Sequence, residues 1–261
     1  MTANVIIYER GDRVYTQNSL MADLNRLNID PGGTLMVHFS YKEIGEVEGR
    51  ADAVLDALAE YMSPGLLVLP THTWLNVNLQ NPVMDVLYTP TCVGTLPELF
   101  RLRPNVCRSL HPTHSLAALG KDAPRLISGE EYIDTPCGYG GVYYKLWERD
   151  AQILLVGVNF ARNTFIHGIE DWDHAVGSLS EEKTDLYVIN ADGYRLHTPQ
   201  YRHDSRLGSE TFTKLEPDAI RQGIMTLGKL GMATTRLMRA RPLREMVADI
   251  LKSDPGYLTR H

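Results

Sequence analysis

Long apolar runs are missing from this 261-residue chain. No stretch approaches the ~18 consecutive apolar residues of a membrane-spanning helix, and the opening MTANVIIYERGDR lacks the basic-then-apolar order of a secretory leader. The expected compartment is therefore the cytoplasm, with no membrane partner. Cysteine is scarce: Cys92, Cys107 and Cys137 are an odd count without a CxxC pair, a pattern that indicates neither a disulfide framework nor a structural zinc site. Positive charge is in deficit, with 26 Lys and Arg against 32 Asp and Glu. The resulting net charge of −6 argues against nucleic acid as a partner, since such binding calls for a basic face, and favours a cationic small molecule. Catalytic signatures are absent as well. There is no GxSxG elbow and no HExxH, so a serine hydrolase of the elbow type and a zincin are excluded. The GYGG run at Gly138–Gly141 does not complete a dinucleotide fingerprint, and in GIMTLGK (Gly223–Lys229) the phosphate loop's Ser or Thr is replaced by Leu230.

What is present is the composition of an ordinary globular protein, 43% hydrophobic and 22% charged, and we expect one domain over residues 1–261. Its organising stretch is ILLVGVNFARNTFIHGIEDWDH, residues Ile153–His174. Ile153–Val158 reads as a strand covered on both faces. Polar, proton-handling groups follow at once: Asn159, Arg162, Asn163, Thr164, His167, Glu170, Asp171, Asp173 and His174. With Asn163 or Thr164 as a helix cap, His167 and Glu170 fall three apart, and His167 and Asp171 four apart, on one helical face. The alternative is a loop histidine among solvated acids.

The units upstream repeat that logic. A helix at Ser19–Leu27 leads to a strand at Thr34–Val37 that ends in His38, Phe39 and Ser40; a helix at Ala51–Met62 leads to a strand at Leu66–Leu69 that ends in Thr71, His72 and Thr73. Helix–turn–strand units delivering polar groups to strand ends predict a mainly parallel sheet with one functional edge. Leu75–Thr91 reads as a long loop, Gly94–Leu102 as a helix, and Arg108–Ser115 (RSLHPTHS) as a dense polar turn before the apolar Leu116–Leu119. A short helix at Val142–Glu148 precedes the central strand. Asp185–Ile189 and Tyr194–Leu196 flank an Asp-Gly turn and predict a β-hairpin. Ile220–Leu230 and Arg241–Lys252 read as helices.

VHFSYKEIG (Val37–Gly45), LPTHTW (Leu69–Trp74), RSLHPTHSLAALG (Arg108–Gly120) and LLVGVNFARNTFIHGIE (Leu154–Glu170), in this order and spacing, resemble the aminoglycoside 3-N-acetyltransferase family over roughly residues 17–215. The resemblance implies an α/β fold, a three-layer α/β/α sandwich with a mixed, mainly parallel central sheet, here carrying the hairpin as an insertion. It also implies acetyl-CoA as cosubstrate, an aminosugar amine as acceptor, and no metal. The family's Thr-x-x-His-x-x-Glu motif is matched by Thr164, His167 and Glu170, and its downstream acidic residue by Asp204. Its coenzyme loops correspond to His38, Phe39, Ser40, Thr71, His72, Thr73, Arg108 and Ser109, with His111 close behind. Two departures stand out: Phe39 replaces a serine of the common His-Ser-Ser, and Arg202 stands where an acidic residue is sometimes found.

The residues and the resemblance converge on general-base chemistry. An alkylammonium of pKa about 10.4 must lose a proton before it attacks, which makes His167 the candidate base, oriented by Asp204 or Glu170, with His111, His114 and His203 as alternatives. Asp171, Glu170, Asn163 and His114 are candidate acceptor contacts, and Glu130, Glu131, Asp134 and Asp173 could draw in a polyamine. A metal-dependent hydrolase built on His111, His114, His167, His174 and the nearby acids is the competing expectation, and a noncatalytic binding protein is a third.

Overall fold

Ile153, Leu154, Leu155 and Val156 are fully buried, and they alternate between two cores. Ile153 and Leu155 pack into one cluster, Leu154 and Val156 into the other, so neither face of this strand needs a polar residue. The computed structural model, which describes residues 14–173, 178–203 and 208–258, builds a three-layer sandwich around this alternation.

The first half contributes helix α1 (Gln17–Arg26), strand β1 (Thr34–Phe39), α2 (Arg50–Tyr61), β2 (Leu66–Pro70), β3 (Val83–Asp85), α3 (Thr95–Arg101), β4 (Cys107–Arg108) and β5 (Leu116–Leu119). The second half adds α4 (Ala123–Ile127), α5 (Val142–Glu148), β6 (Gln152–Val156), α6 (Thr164–Trp172), β7 (Tyr187–Ile189), β8 (Arg195–His197), α7 (Glu216–Arg221), β9 (Met225–Leu230), β10 (Ala233–Arg239) and α8 (Ala240–Ser253). Among the described residues seven strands form one sheet in the order β4-β5-β2-β1-β6-β10-β9. Only its centre is parallel, β2 with β1 and β1 with β6; the flanking pairs are antiparallel. Helices α1, α2 and α3 cover the face that carries Leu35, Val37 and Leu154. Helices α4, α5, α6 and α8 cover the face that carries Met36, Ile153 and Leu155.

Local chemistry explains several boundaries. Helix α1 begins earlier than Ser19 because Thr16 is its cap: Thr16 Oγ1 accepts from the Ser19 N–H and Ser19 Oγ accepts from the Thr16 N–H, a reciprocal capping box. The expected helix over Ile220–Leu230 is instead split. α7 stops at Arg221, Gly223 turns the chain at φ 70°, and Met225–Leu230 is an edge strand. Its inner residues are half or fully exposed, so hydrophobic alternation could not announce it. At Gly228 an added Cβ would stand 2.2 Å from Leu27 Cδ2. The long loop after β2 holds the short strand β3, which pairs in parallel with β7 of the expected hairpin and forms a small second sheet over Val77, Met84, Val86, Leu186 and Val188. Among the described residues no helix is long and apolar enough to cross a membrane.

For function the register matters most. Val37 pairs with Leu154 and Phe39 with Val156, while Thr34 pairs with Leu66. The carboxyl ends of β1, β2 and β6 therefore finish side by side, and the polar segments after them open on one edge.

Candidate active site

A cleft of ≈ 780 Å³ opens at that edge, lined in part by His38, Phe39, Ser40, His72, Trp74, His114, Arg162, Thr164, His167, Arg202, His203 and Ser209. One wall comes from the turn after β6. Asn159 Oδ1 accepts from the Ala161 N–H at 3.1 Å and caps a 3₁₀ turn over Phe160–Arg162, after which α6 starts at Thr164. His167 thus lies in the first turn of α6. Three residues on, Glu170 Oε2 meets His167 Nδ1 at 2.8 Å. A carboxylate can only accept, so Nδ1 is the nitrogen that donates here, and in the neutral ring the lone pair falls on Nε2. The ring is also fixed by packing: His203 stacks on it at 4.0 Å and Phe212 meets it edge-on at 4.6 Å.

Behind His203 the imidazoles continue inward. His114 lies 5.1 Å from His203, His72 lies 4.7 Å from His114, and His72 Nε2 is 2.9 Å from the Tyr143 hydroxyl. Burial holds all of them in the neutral form at pH 7. His38 and His111 are pushed down to about 4, and His72, His114 and His203 fall well below the usual imidazole value. Among the described residues His38 Nε2 is buried without a hydrogen-bond partner, a polar atom at the cleft that a bound molecule or water would satisfy.

Of the residues expected to hold coenzyme, His38, Phe39, Ser40 and His72 line the cleft. Thr71, Thr73, Arg108, Ser109 and His111 are instead buried and engaged in holding the loops together. The Arg108 guanidinium donates to the carbonyls of Thr71 at 2.8 Å and Thr89 at 2.6 Å and to Ser115 Oγ at 3.1 Å, and burial pulls its pKa down to about 9. Thr73 Oγ1 donates to the Pro112 carbonyl at 2.6 Å. His111 Nδ1 accepts from the backbone N–H groups of Thr113 and His114, while Nε2 donates to the Thr135 carbonyl. Ser109 Oγ accepts from the Leu116 N–H and donates to Glu130. A loop buried this deeply has carbonyls and amides that water does not reach, and these side chains are their partners.

The expected acceptor contacts are rearranged too. His114 lines the cleft. Asn163 is buried and donates to Met238 Sδ, and Asp171 accepts from Thr135 Oγ1 at 2.5 Å. Asp134 pairs with Lys183 and Asp173 with Arg244. Glu130 is 3% exposed, accepts from the Val142 N–H, and is pushed up to about 7 by burial. Each of these four acids has a partner within the fold. Asp204 and His174 lie outside the described residues. The hydrolase reading needs ligands that converge, and among the described residues no three His, Cys, Asp or Glu side chains are grouped as a metal ion requires. Sequence reasoning gave no cleft position to Trp74, Arg162, Arg202 or Ser209. Trp74 and Arg162 lie inside the quoted motifs, whereas Arg202 and Ser209 carry no such signal.

A profile of the aminoglycoside 3-N-acetyltransferases matches residues 36–252. The chain belongs to the aminoglycoside 3-N-acetyltransferase family. It is 28% identical over 237 residues to aminoglycoside N(3)-acetyltransferase IV of a Salmonella species, covering 90% of this chain and 87% of that one. It is 31% identical over 173 residues to the SPbeta prophage-derived aminoglycoside N(3')-acetyltransferase-like protein YokD of Bacillus subtilis strain 168, covering 58% of this chain and 63% of the relative. Among solved structures it resembles a histidine-to-alanine mutant of aminoglycoside acetyltransferase AAC(3)-IVa in complex with a gentamicin, with a TM-score of 0.83, 25% identity, and 95% and 93% of the two chains covered. The fold is shared also with AAC-IIIb bound to CoASH, with a TM-score of 0.79, 21% identity, and 92% and 97% covered.

Proposed function

We propose that this protein transfers the acetyl group of acetyl-CoA to an amine of an aminoglycoside or related amino-sugar, by direct attack with both substrates bound and with His167 as general base. The observation that carries this reading is the His167–Glu170 pair on the cleft wall, 2.8 Å apart. Acetyl-CoA supplies the activated acetyl group. His38, with its unpartnered Nε2, and the neighbouring Phe39 and Ser40 are the residues suited to hold it.

The chemistry follows from the proton positions. With Nδ1–H held by Glu170, the Nε2 lone pair is the one free to take a proton from the attacking amine. The imidazolium that results is stabilised by the same carboxylate, which also fixes the tautomer beforehand. The surrounding histidines are neutral, so they do not repel the developing charge as cations would. Acceptors whose crystallised complexes are known in the family include a gentamicin, held by AAC(3)-IVa.

Thiol release from acetyl-CoA, followed across a panel of amines with and without a chelator, tests the reading. Amine-dependent release that the chelator leaves unchanged and His167→Ala abolishes is the expected result. Release that is independent of any amine, or that the chelator abolishes, would overturn it.

A further inference from the structure

Among the described residues, the cleft lining has the wrong sign for a polycation. Among its described residues are two arginines, Arg162 and Arg202, and no aspartate or glutamate. Arg162 stands at the mouth, largely exposed and 3.9 Å from Glu210. Arg202 is different, because the fold holds it in place: its N–H donates to Ser180 Oγ at 3.0 Å and its carbonyl accepts from the Ser180 N–H at 2.7 Å. Its guanidinium makes two long bonds, to the carbonyls of Val77 at 3.3 Å and Trp74 at 3.4 Å. A guanidinium carries five donors, so the fork remains largely open. Burial alone lowers its pKa, with no neighbouring carboxylate among the described residues to offset that. A half-buried cation without a counter-charge is unfavourable unless something that binds there supplies one.

Position decides which substrate supplies it. Arg202 precedes His203, whose ring stacks on His167 at 4.0 Å. In coenzyme A the phosphates lie at the far end of the pantetheine arm from the thioester, away from the base. Arg202 lines the same cleft as His167, and a cation on that shared wall is assigned to the acceptor. Trp74, whose carbonyl Arg202 contacts, is 39% exposed on the same wall and offers a flat apolar face for a sugar ring. A guanidinium near the amine also favours the neutral, nucleophilic form of that amine.

We infer that the preferred acceptor is an amino-sugar that also bears an oxyanion, a carboxylate or a phosphate, and that Arg202 receives it as a specificity-determining residue. This rests on the acetyl-transfer reading above and narrows its substrate class away from polycationic aminoglycosides.

The test compares glucosamine, glucosamine 6-phosphate, 2-amino-2-deoxygluconate and gentamicin as acceptors for the purified protein. We expect kcat/KM for the phosphate or the carboxylate compound to exceed that of glucosamine and of gentamicin by about 10- to 100-fold, the effect of one charge-assisted contact. Which of the two leads identifies the anion. Arg202→Gln should erase the preference and Arg202→Glu should turn it towards gentamicin, with KM for acetyl-CoA unchanged in both. The wild-type ranking itself needs no variant to fold. Gentamicin ranked first by the wild type, with thiol still released, overturns this inference and leaves acetyl transfer standing. An increase in acetyl-CoA KM in Arg202→Gln with the acceptor ranking intact also overturns it, since the guanidinium then reads the coenzyme. No release with any amine overturns both readings.

Discussion

Removing the imidazole of His167 should expose two effects that one variant normally mixes. Glu170 is 4% exposed, and its Oε2 meets His167 Nδ1 at 2.8 Å. His167→Ala therefore deletes the proposed base and also strands a carboxylate in the core. The loss of a positioned base should lower turnover by on the order of 100- to 10,000-fold, or about 2.7–5.5 kcal/mol of barrier. The stranded carboxylate should cost roughly 1–3 kcal/mol of stability, or about 2–12 °C in Tm for a domain of this size. Glu170→Gln in the same chain removes the buried charge and keeps the volume. The double variant should then regain most of the lost unfolding free energy and none of the lost turnover. Urea unfolding paired with single-turnover thiol release at saturating substrates reads both quantities on the same preparations. Should the double variant recover turnover together with stability, the activity loss was a folding defect. Should His167→Ala keep nearly full turnover while chemistry limits the rate, the base must be sought at His114 or His203 on the same wall.

Three other perturbations follow from the same geometry. His38 and His111 have folded-state pKa values near 4 against about 6.5 when unfolded, so the unfolded chain binds more protons in that window. Their stabilisation is complete above pH 6.5 and should be lost as pH falls towards 4, by about 3 kcal/mol apiece. Glu130, raised to about 7, works in the opposite sense, stabilising below its ordinary carboxylate value and losing that contribution as pH rises through 7. Glu130→Gln should therefore steepen the acid loss in urea titrations at pH 7, 6 and 5; an unchanged slope would contradict the buried, protonated carboxyl. Arg108→Lys keeps the charge but cannot span the carbonyls of Thr71 and Thr89 that the guanidinium bridges. It should lower Tm by several degrees and leave KM for acetyl-CoA unchanged well below the transition, whereas a selective rise in that KM would return Arg108 to the coenzyme. His38→Ala should raise KM for acetyl-CoA several-fold with little change in kcat, and equal KM values would show that its unpartnered Nε2 faces the acceptor instead.

The parts of this molecule that were legible in the sequence are those where one physical rule acts alone. The apolar run at Ile153–Val156 has no polar residue because two cores cover it. His167 and Glu170 could be paired in advance because a helix turn brings residues three apart together, whatever surrounds it. Strand β9 was not legible, since an edge strand with exposed inner residues shows neither a period of two nor a buried run, and β10 beside it mixes Thr and Arg with few apolar residues. The polar turn at Arg108–Ser115 was legible as dense but not as oriented. A hydroxyl that satisfies a buried carbonyl and one that faces a ligand are written with the same residue types. Only the fold shows that Arg108, Ser109 and His111 lie beneath the cleft and His114 on its wall.

Charge makes the same point more sharply. A net charge of −6 led to the expectation of a cationic partner, yet net charge is a sum over the chain, while a ligand responds to the few groups within its reach. Several acids here are paired with basic side chains that do not line the cleft. Asp52 and Asp56 pair with Arg103, Asp122 with Arg149, Asp150 with Arg239, Asp134 with Lys183 and Asp173 with Arg244. Glu170 faces His167 and is nearly enclosed. What the described cleft wall retains is imidazole and arginine, with no carboxylate among its lining residues. The deficit of positive charge in the sequence and the arginines at the site are therefore compatible, and it is the second that bears on which amine this enzyme acetylates.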